Sequence, residues 1–450
     1  MSRIRALVIA DSCNPEWVSV PLEGWSHYQA LARVADVHLV TQVRNREALL
    51  RAGLREGLDF TAIDSEAIAA PVHRLAERVR GGAGKGWGTV TATRVLSIPY
   101  FEWVLWRRFA PDLRAGRFDL VHQLTPLSPV VPARTASRCR RVGVPFTWGP
   151  INGGVPWPEG FDDVRKAEGE RLWSLRRFHW LMPGYQASRR DSAALLIGSR
   201  ATWDQVEPRW RDKCEYVPEN AIDPQRFTRQ RERTAALPLR AAFVGRLVPY
   251  KGADMLLDAA EPLLRGGQLE LLLVGDGPQM PWLKEQVARR GLERAVELAG
   301  WVEHREVQAR LAGCDLFAFP SIHEFGGAVV LEAMAVGVVP IVVDHGGPAE
   351  LVTPRTGWKI PLGRRPELVA RLRAVLEEVC ADPAEVDRRA PEALRRVREQ
   401  FTWDKKAAMT LAVWEWVLGR GPKPGFPMPL PDLPRPSGVA PAPQEAPAGS

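Results

Sequence analysis

Apolar runs of strand length alternate with helical patterns along most of this chain, and that alternation predicts parallel βαβ units. In the first half the runs at 4–10, 36–41, 119–122, 143–148, 193–197 and 214–217 read as strands. In the second half those at 240–244, 269–274, 295–299, 315–319 and 338–343 follow at shorter, more regular intervals. Helical periodicity fills the gaps at 253–265, 279–290, 304–312 and 328–336, and 365–380 and 384–400 read as closing helices. The economical solution is an α/β protein of two doubly wound, Rossmann-like domains.

The stretch 221–239 is charged, contains proline and lacks periodicity, so the domain boundary belongs there. The expected plan is a first domain over 1–225, a linker over 226–239, a second domain over 240–400 and a last amphipathic helix over 401–418. From Gly419 onward proline, glycine and alanine dominate, and 419–450 reads as a disordered tail. Of the 450 residues, 45% are hydrophobic and 25% charged, enough to bury a large soluble core. No run approaches the ~20 apolar residues of a membrane span. The apolar stretch after Arg3 ends at Asp11, too soon for a signal segment, so a cytoplasmic protein is expected. The five cysteines are scattered without metal-ligand spacing, and neither disulfides nor structural zinc are expected. A net charge of +8 suits anionic small molecules or an anionic membrane. The basic residues are spread rather than clustered in a recognised module, so no nucleic-acid partner is expected. The glycine-rich stretch Gly81–Gly88 fails as a phosphate loop, because Lys85 is followed by Gly86 and the upstream glycine is missing.

One acid carries the chemistry. From Ala328 to Val336 every residue except Glu332 is apolar or small, and a carboxylate there is costly unless paired or hydrogen-bonded. Gly326 and Gly327 open that helix, whose first N–H groups and positive dipole end can face an anion. Glu324 stands just before them as a second acceptor. Upstream, a strand ends at Gly245-Arg246 and a loop runs to Lys251-Gly252. Loops at the carboxyl ends of parallel strands face the ligand crevice. Arg246 and Lys251 sit there with no acidic neighbour in sequence, as two solvated surface cations or as a diphosphate clamp. The turn after 271–274, Gly275-Asp276-Gly277-Pro278, lacks the third glycine of a dinucleotide fingerprint, and Asp276 is equally a turn or cap residue.

Taken together, the Gly-Arg…Lys-Gly loop, the Val-Gly-Asp-Gly-Pro turn and the glutamates eight apart (Glu324, Glu332) resemble retaining glycosyltransferases of the family 4 type, with the GT-B fold. The resemblance is specific over about 240–360 and looser over 1–239. It implies two Rossmann-like domains facing across a cleft and a nucleotide-sugar donor. It implies a saccharide or lipid-linked acceptor, and surface-polysaccharide or glycoconjugate assembly. Arg246 and Lys251, with Gly245 bounding their loop, would neutralise the leaving phosphate. Glu324 would hold hydroxyls of the donor sugar, and the N–H groups of Phe325, Gly326 and Gly327 the sugar or diphosphate. Glu332 would bind the ribose diol, and Trp301 and Val302 would line the base pocket mainly by backbone. No cofactor or metal is implied, since cations and a helix terminus take the metal's part. His122, ending a first-domain strand, would project into the cleft beside the donor sugar. Gly153 and Gly154 either line the cleft or form a plain turn. The first-strand loop, Asp11–Trp17, lacks the family's paired glycines.

Two segments, Tyr100–Phe109 and Arg171–Leu181, mix tryptophan with arginine. They are core helices or a peripheral contact with anionic membrane at its inner face. Two other readings share the architecture: a nucleotide-sugar-binding partner subunit without activity, and a sugar-nucleotide 2-epimerase.

Overall fold

The computed structural model describes residues 3–66, 87–168, 181–231 and 233–434. The glycine stretch 81–86, most of the second tryptophan–arginine segment (171–180) and 435–450 lie outside the described residues.

Two sheets are formed, with every strand pairing parallel. The first contains β1 (Arg5–Ala10), β2 (Asp36–Gln42), β3 (Phe60–Ile63), β4 (Leu120–Thr125), β5 (Phe146–Ile151), β6 (Ala194–Ile197) and β7 (Cys214–Tyr216). Its spatial order is β3-β2-β1-β4-β5-β6-β7. The second contains β8 (Leu239–Val244), β9 (Leu269–Val274), β10 (Val296–Gly300), β11 (Leu316–Phe319), β12 (Val339–Val343) and β13 (Trp358–Ile360), in the order β10-β9-β8-β11-β12-β13. Helices cover both faces of such sheets, which is why the central strands are continuous apolar runs. All of β4, β11 and β12 is buried. In each sheet the strand order reverses beside the first strand, at β1/β4 and β8/β11, and crevices open at such switch points.

The chain crosses between domains more than once. The segment after β7 leads to β8, and the helix Trp403–Val417 returns to the first domain, where it packs beside the helix Val20–Val34. Ala407 and Trp414 join Trp25 and Leu31 in that core. The last helix is therefore part of the first domain in space.

The described part of the tail corrects the expectation for 419–450. Residues up to 434 run over the surface and are bonded to it. Phe426 N–H donates to Glu215 (3.0 Å), and Arg200 donates to the Met428 carbonyl (2.6 Å), both in the first domain. Arg396, buried in the second domain, donates to the carbonyls of Leu351, Leu430 and Pro431, each at 2.9 Å. Arg355 and Arg395 hold the carbonyls of Leu433 and Pro434. Proline removes backbone donors but leaves carbonyls, and arginine supplies the donors instead.

Candidate active site

The loop after β8 carries the two cations read from the sequence. It turns through Pro249–Lys251 and ends at Gly252 (φ 79°), the left-handed residue from which the helix Ala253–Arg265 starts. Lys251 is not unneutralised, as the sequence suggested. Its Nζ lies 2.9 Å from Glu324 Oε2, and both side chains are about one-fifth exposed (18% and 20%). The partner comes from the loop after β11, which no local spacing reveals. Arg246 follows Gly245 at the strand end and is half-buried. A cavity of about 170 Å³ adjoins this pair, lined by Ser19, Trp157, Tyr250, Lys251, Glu324 and Phe325. Trp157 of the first domain stacks on His323 of the second (4.1 Å between ring centres, 14° between planes), so the cavity is walled by both domains.

Phe325, Gly326 and Gly327 lead into the helix Ala328–Ala335, with Gly327 in the left-handed region (φ 75°). Glu332 sits in the middle of that helix with its side chain 15% exposed, and it is paired. Its partner is His304, the first residue of the helix His304–Ala312, whose Nε2 lies 2.9 Å from Glu332 Oε1. Arg226 donates to His304 Nδ1 at 3.0 Å. The bond to Glu332 raises the imidazole's pKa against the opposing effects of burial and the Arg226 charge.

The crossing segment adds residues that sequence reasoning missed. Glu219 accepts a close hydrogen bond from Asn152 Nδ2, and Lys406 Nζ donates closely to its backbone carbonyl. Burial and the neighbouring Glu219 push Glu23 well above the usual carboxylate range. A proton held there turns a repulsive carboxylate pair into a donor and an acceptor. Burial lowers the ammonium of Lys406 to about 8. A Cβ at Gly326 would strike the side-chain ends of Asn220 and Glu219, so the bare backbone of this glycine is what leaves room for them beside the helix start. These groups come from four distant parts of the chain, and no periodicity or motif announces them.

His122 stands elsewhere than expected, and Gly153 and Gly154 take the plain-turn alternative. His122 does not reach the cleft. It is fully buried in β4, opposite Val8 and Thr147, with Nδ1 2.8 Å from the Thr147 hydroxyl. The ring of Trp414 packs edge-on at 5.3 Å, and burial holds the imidazole down to about 3, neutral in ordinary buffers. Strand position alone hid this, because the last helix that covers it arrives from the other end of the chain. The Gly153 N–H is taken by Asn152 Oδ1 (2.8 Å) and Thr202 Oγ1 (3.1 Å), and Gln205 holds the Gly153 and Gly154 carbonyls. That loop is an internally satisfied turn against the helix Arg200–Asp204. The Trp301 side chain is 72% exposed, and Val302 packs on the second-domain core. Asp276 caps its own turn through the Gly277 N–H (2.7 Å). In the first tryptophan–arginine segment, Phe101, Leu105 and Phe109 are core residues, leaving Trp103 outward beneath Arg107. Among the described residues no helix is long and apolar enough to cross a membrane.

Residues 225–392 match the family model described as glycosyl transferases group 1. A glycogen synthase of Mycobacterium tuberculosis (strain CDC 1551 / Oshkosh) is 34% identical over 232 residues, covering 50% of this chain and 54% of that protein. The match thus spans about half the length of that relative. A 2-deoxystreptamine glucosyltransferase of Streptomyces kanamyceticus is 26% identical over 410 residues, 84% of this chain and 98% of that one. Among solved structures, Anabaena Alr3699/HepE in complex with UDP aligns over 91% of this chain and 99% of its own, with a TM-score of 0.56 at 17% identity, a likeness of fold. The two parallel sheets therefore form a GT-B fold, and the second of them lies within the residues, 225–392, that are similar to the glycosyl transferases group 1 model.

Proposed function

We propose that this protein transfers a sugar from a nucleotide-sugar to a saccharide or lipid-linked acceptor, in the manner of the family 4 type, with the anomeric configuration kept. The observation that carries the reading is the Lys251–Glu324 pair at 2.9 Å, at the mouth of the Gly326-Gly327 turn on the helix that bears Glu332. In this reading Lys251 and Arg246 face the departing diphosphate, with the N–H groups of Phe325, Gly326 and Gly327 beside them. Glu324, oriented by Lys251, receives hydroxyls of the donor sugar, and Glu332 receives the ribose diol. Rate enhancement comes from positioning and from charge placed where the leaving group develops it. No metal is needed, because the cations and the helix terminus supply that charge. A leaving-group phosphate oxygen takes the acceptor proton.

The similarity to a glycogen synthase and a 2-deoxystreptamine glucosyltransferase supports sugar transfer as the reaction class, and a UDP-bound neighbour makes UDP-sugars the first donors to try. Polysaccharide or glycoconjugate assembly on the cytoplasmic side is the setting proposed. Peripheral contact with anionic membrane rests on Trp103, Arg107 and the outward arginines near them. Co-sedimentation with anionic liposomes at low and high salt tests it, and no binding at low salt ends it.

The decisive experiment is a thermal-shift screen of UDP-, GDP- and ADP-sugars against the wild type and Glu332→Ala. One donor should raise the wild-type midpoint, and the variant should lose most of that shift. At a ligand concentration 100 times Kd the stabilisation is roughly 2.7 kcal/mol. Stabilisation by no donor overturns the assignment. Product anomers read by NMR test retention.

A further inference from the structure

We propose that His304 is a positioning residue of the donor site, fixing the Glu332 carboxylate for a ribose diol and fixed in turn by Arg226 of the crossing segment. This rests on the nucleotide-sugar reading and adds to it two residues that no motif supplies. The argument begins with the two hydrogen bonds on one ring, Arg226 to Nδ1 at 3.0 Å and Nε2 to Glu332 Oε1 at 2.9 Å. A guanidinium offers only donors, so the first bond requires a bare Nδ1. The proton then resides on Nε2 and is donated to Glu332. With the ring in that neutral Nε2–H form, a directed chain runs from Arg226 through His304 to Glu332.

That chain commits Oε1 and leaves Oε2 to accept from a ligand. A carboxylate on an apolar helix would otherwise turn about its own bonds, and holding one oxygen fixes the plane of the other. The groups facing the ring are Arg226 from the crossing segment and Glu332 from the neighbouring helix. On its own helix, Arg305 is paired with Glu303 at 2.8 Å. Arg226 also lines a cleft of about 640 Å³ whose opposite wall is Trp25, Gln29 and Arg33 of the first domain. The donor acid is therefore oriented from the boundary between domains, so an opening that carried Arg226 away would release the imidazole.

The test uses the full-length protein, calorimetry, and UDP, GDP and ADP with their 2′-deoxy counterparts. The best-binding ribonucleotide should lose about tenfold in affinity when its 2′-hydroxyl is removed. In His304→Ala the ribonucleotide should weaken by roughly tenfold and that discrimination should shrink towards unity. His304→Gln keeps one donor and one acceptor, and should restore most of both. A His304→Ala protein with wild-type discrimination overturns the proposal while leaving the donor reading intact. A wild type that binds none of the three nucleotides removes the donor reading and this proposal with it. Independently of any nucleotide, ¹⁵N NMR should find His304 as the Nε2–H tautomer at neutral pH in the wild type but not in Arg226→Ala. Any other wild-type tautomer overturns the chain.

Discussion

At the scale of single residues, the site turns on what a glycine lacks. A Cβ on Gly326 would land against Asn220 Nδ2 and within 2.6 Å of Glu219 Oε2. Both belong to the crossing segment, and Asn220 is buried. Gly326→Ala should therefore act as overpacking, costing roughly 1–3 kcal/mol as the Asn220 and Glu219 side chains are displaced. Asn220→Ala opens space at the same point, so the double variant should recover part of the loss. A coupling of about 1 kcal/mol or more, read by denaturant unfolding of the four proteins, is the expected outcome. Additive losses would show that the two do not touch. The spacing of Glu324 and Glu332 and the glycines between them were legible in the sequence, because a helix start is a local event. The partners of those residues were not. Lys251 meets Glu324, Arg226 meets His304, and Glu219 meets Gly326 only after the sheets have formed.

Among elements, the same division between local and distant holds. The central strands were legible because burial on both faces makes them unbroken apolar runs. The edge strands β3 and β13, of 4 and 3 residues, escaped, whereas the equally short edge strand β7 was read. His122 was placed on the right strand and given the wrong surroundings, since Trp414 covers it from a helix nearly 300 residues further on. The contact between the helices Arg200–Asp204 and Gly346–Leu351 makes a prediction of its own. Glu350, buried in the second domain, accepts from the Arg200 N–H (2.7 Å) and the Tyr216 hydroxyl (3.3 Å) of the first. Burial pushes its carboxyl from the ordinary 4.5 up to about 7. The folded state thus holds a proton that the unfolded state releases between those values. Stability is full below about pH 4.5, falls as pH rises towards about 7, and is level above that. The fall due to this group is on the order of 3 kcal/mol at most. Buried Glu102, also raised to about 7, adds a slope of the same sign. Glu350→Gln keeps a carbonyl to accept from the Arg200 N–H, turns an NH2 donor towards the Tyr216 hydroxyl oxygen, and removes the charge. It should be more stable than the wild type at pH 8 and differ little at pH 4.5, by chemical denaturation at each pH. An unchanged pH slope in the variant would contradict the assignment.

On the scale of the whole molecule, the tail alters how the two domains are joined. Composition made 419–450 look unable to order itself, and that reasoning counts only what a segment buries. It leaves out what the body offers to bare carbonyls. Arg396 lies buried with its guanidinium divided between its own domain, at Leu351, and the tail, at Leu430 and Pro431. A few residues earlier the same tail is tied to Glu215 and Arg200 of the first domain. The strand of chain between Phe426 and Leu430 therefore spans the boundary, in addition to the crossing segment and the return at Phe401–Trp403. Any opening of the cleft must stretch or release it. Ending the chain after Arg420 keeps the last helix and removes the strap. Arg396 would lose two charge-assisted bonds, each on the order of 1.5–3 kcal/mol before water replaces them. The melting midpoint should fall by roughly 4 °C. Amide exchange should quicken around Leu351–Thr356 and in the Glu215 strand, on both sides of the boundary. The radius of gyration from small-angle scattering should rise, and binding of whichever donor the screen identifies should weaken, because closure would no longer be favoured by the strap. Unchanged scattering and exchange in the shortened chain would mean that the domains are held by the cleft contacts alone, with the Trp157–His323 stack and the Glu350 bonds sufficient to keep them together.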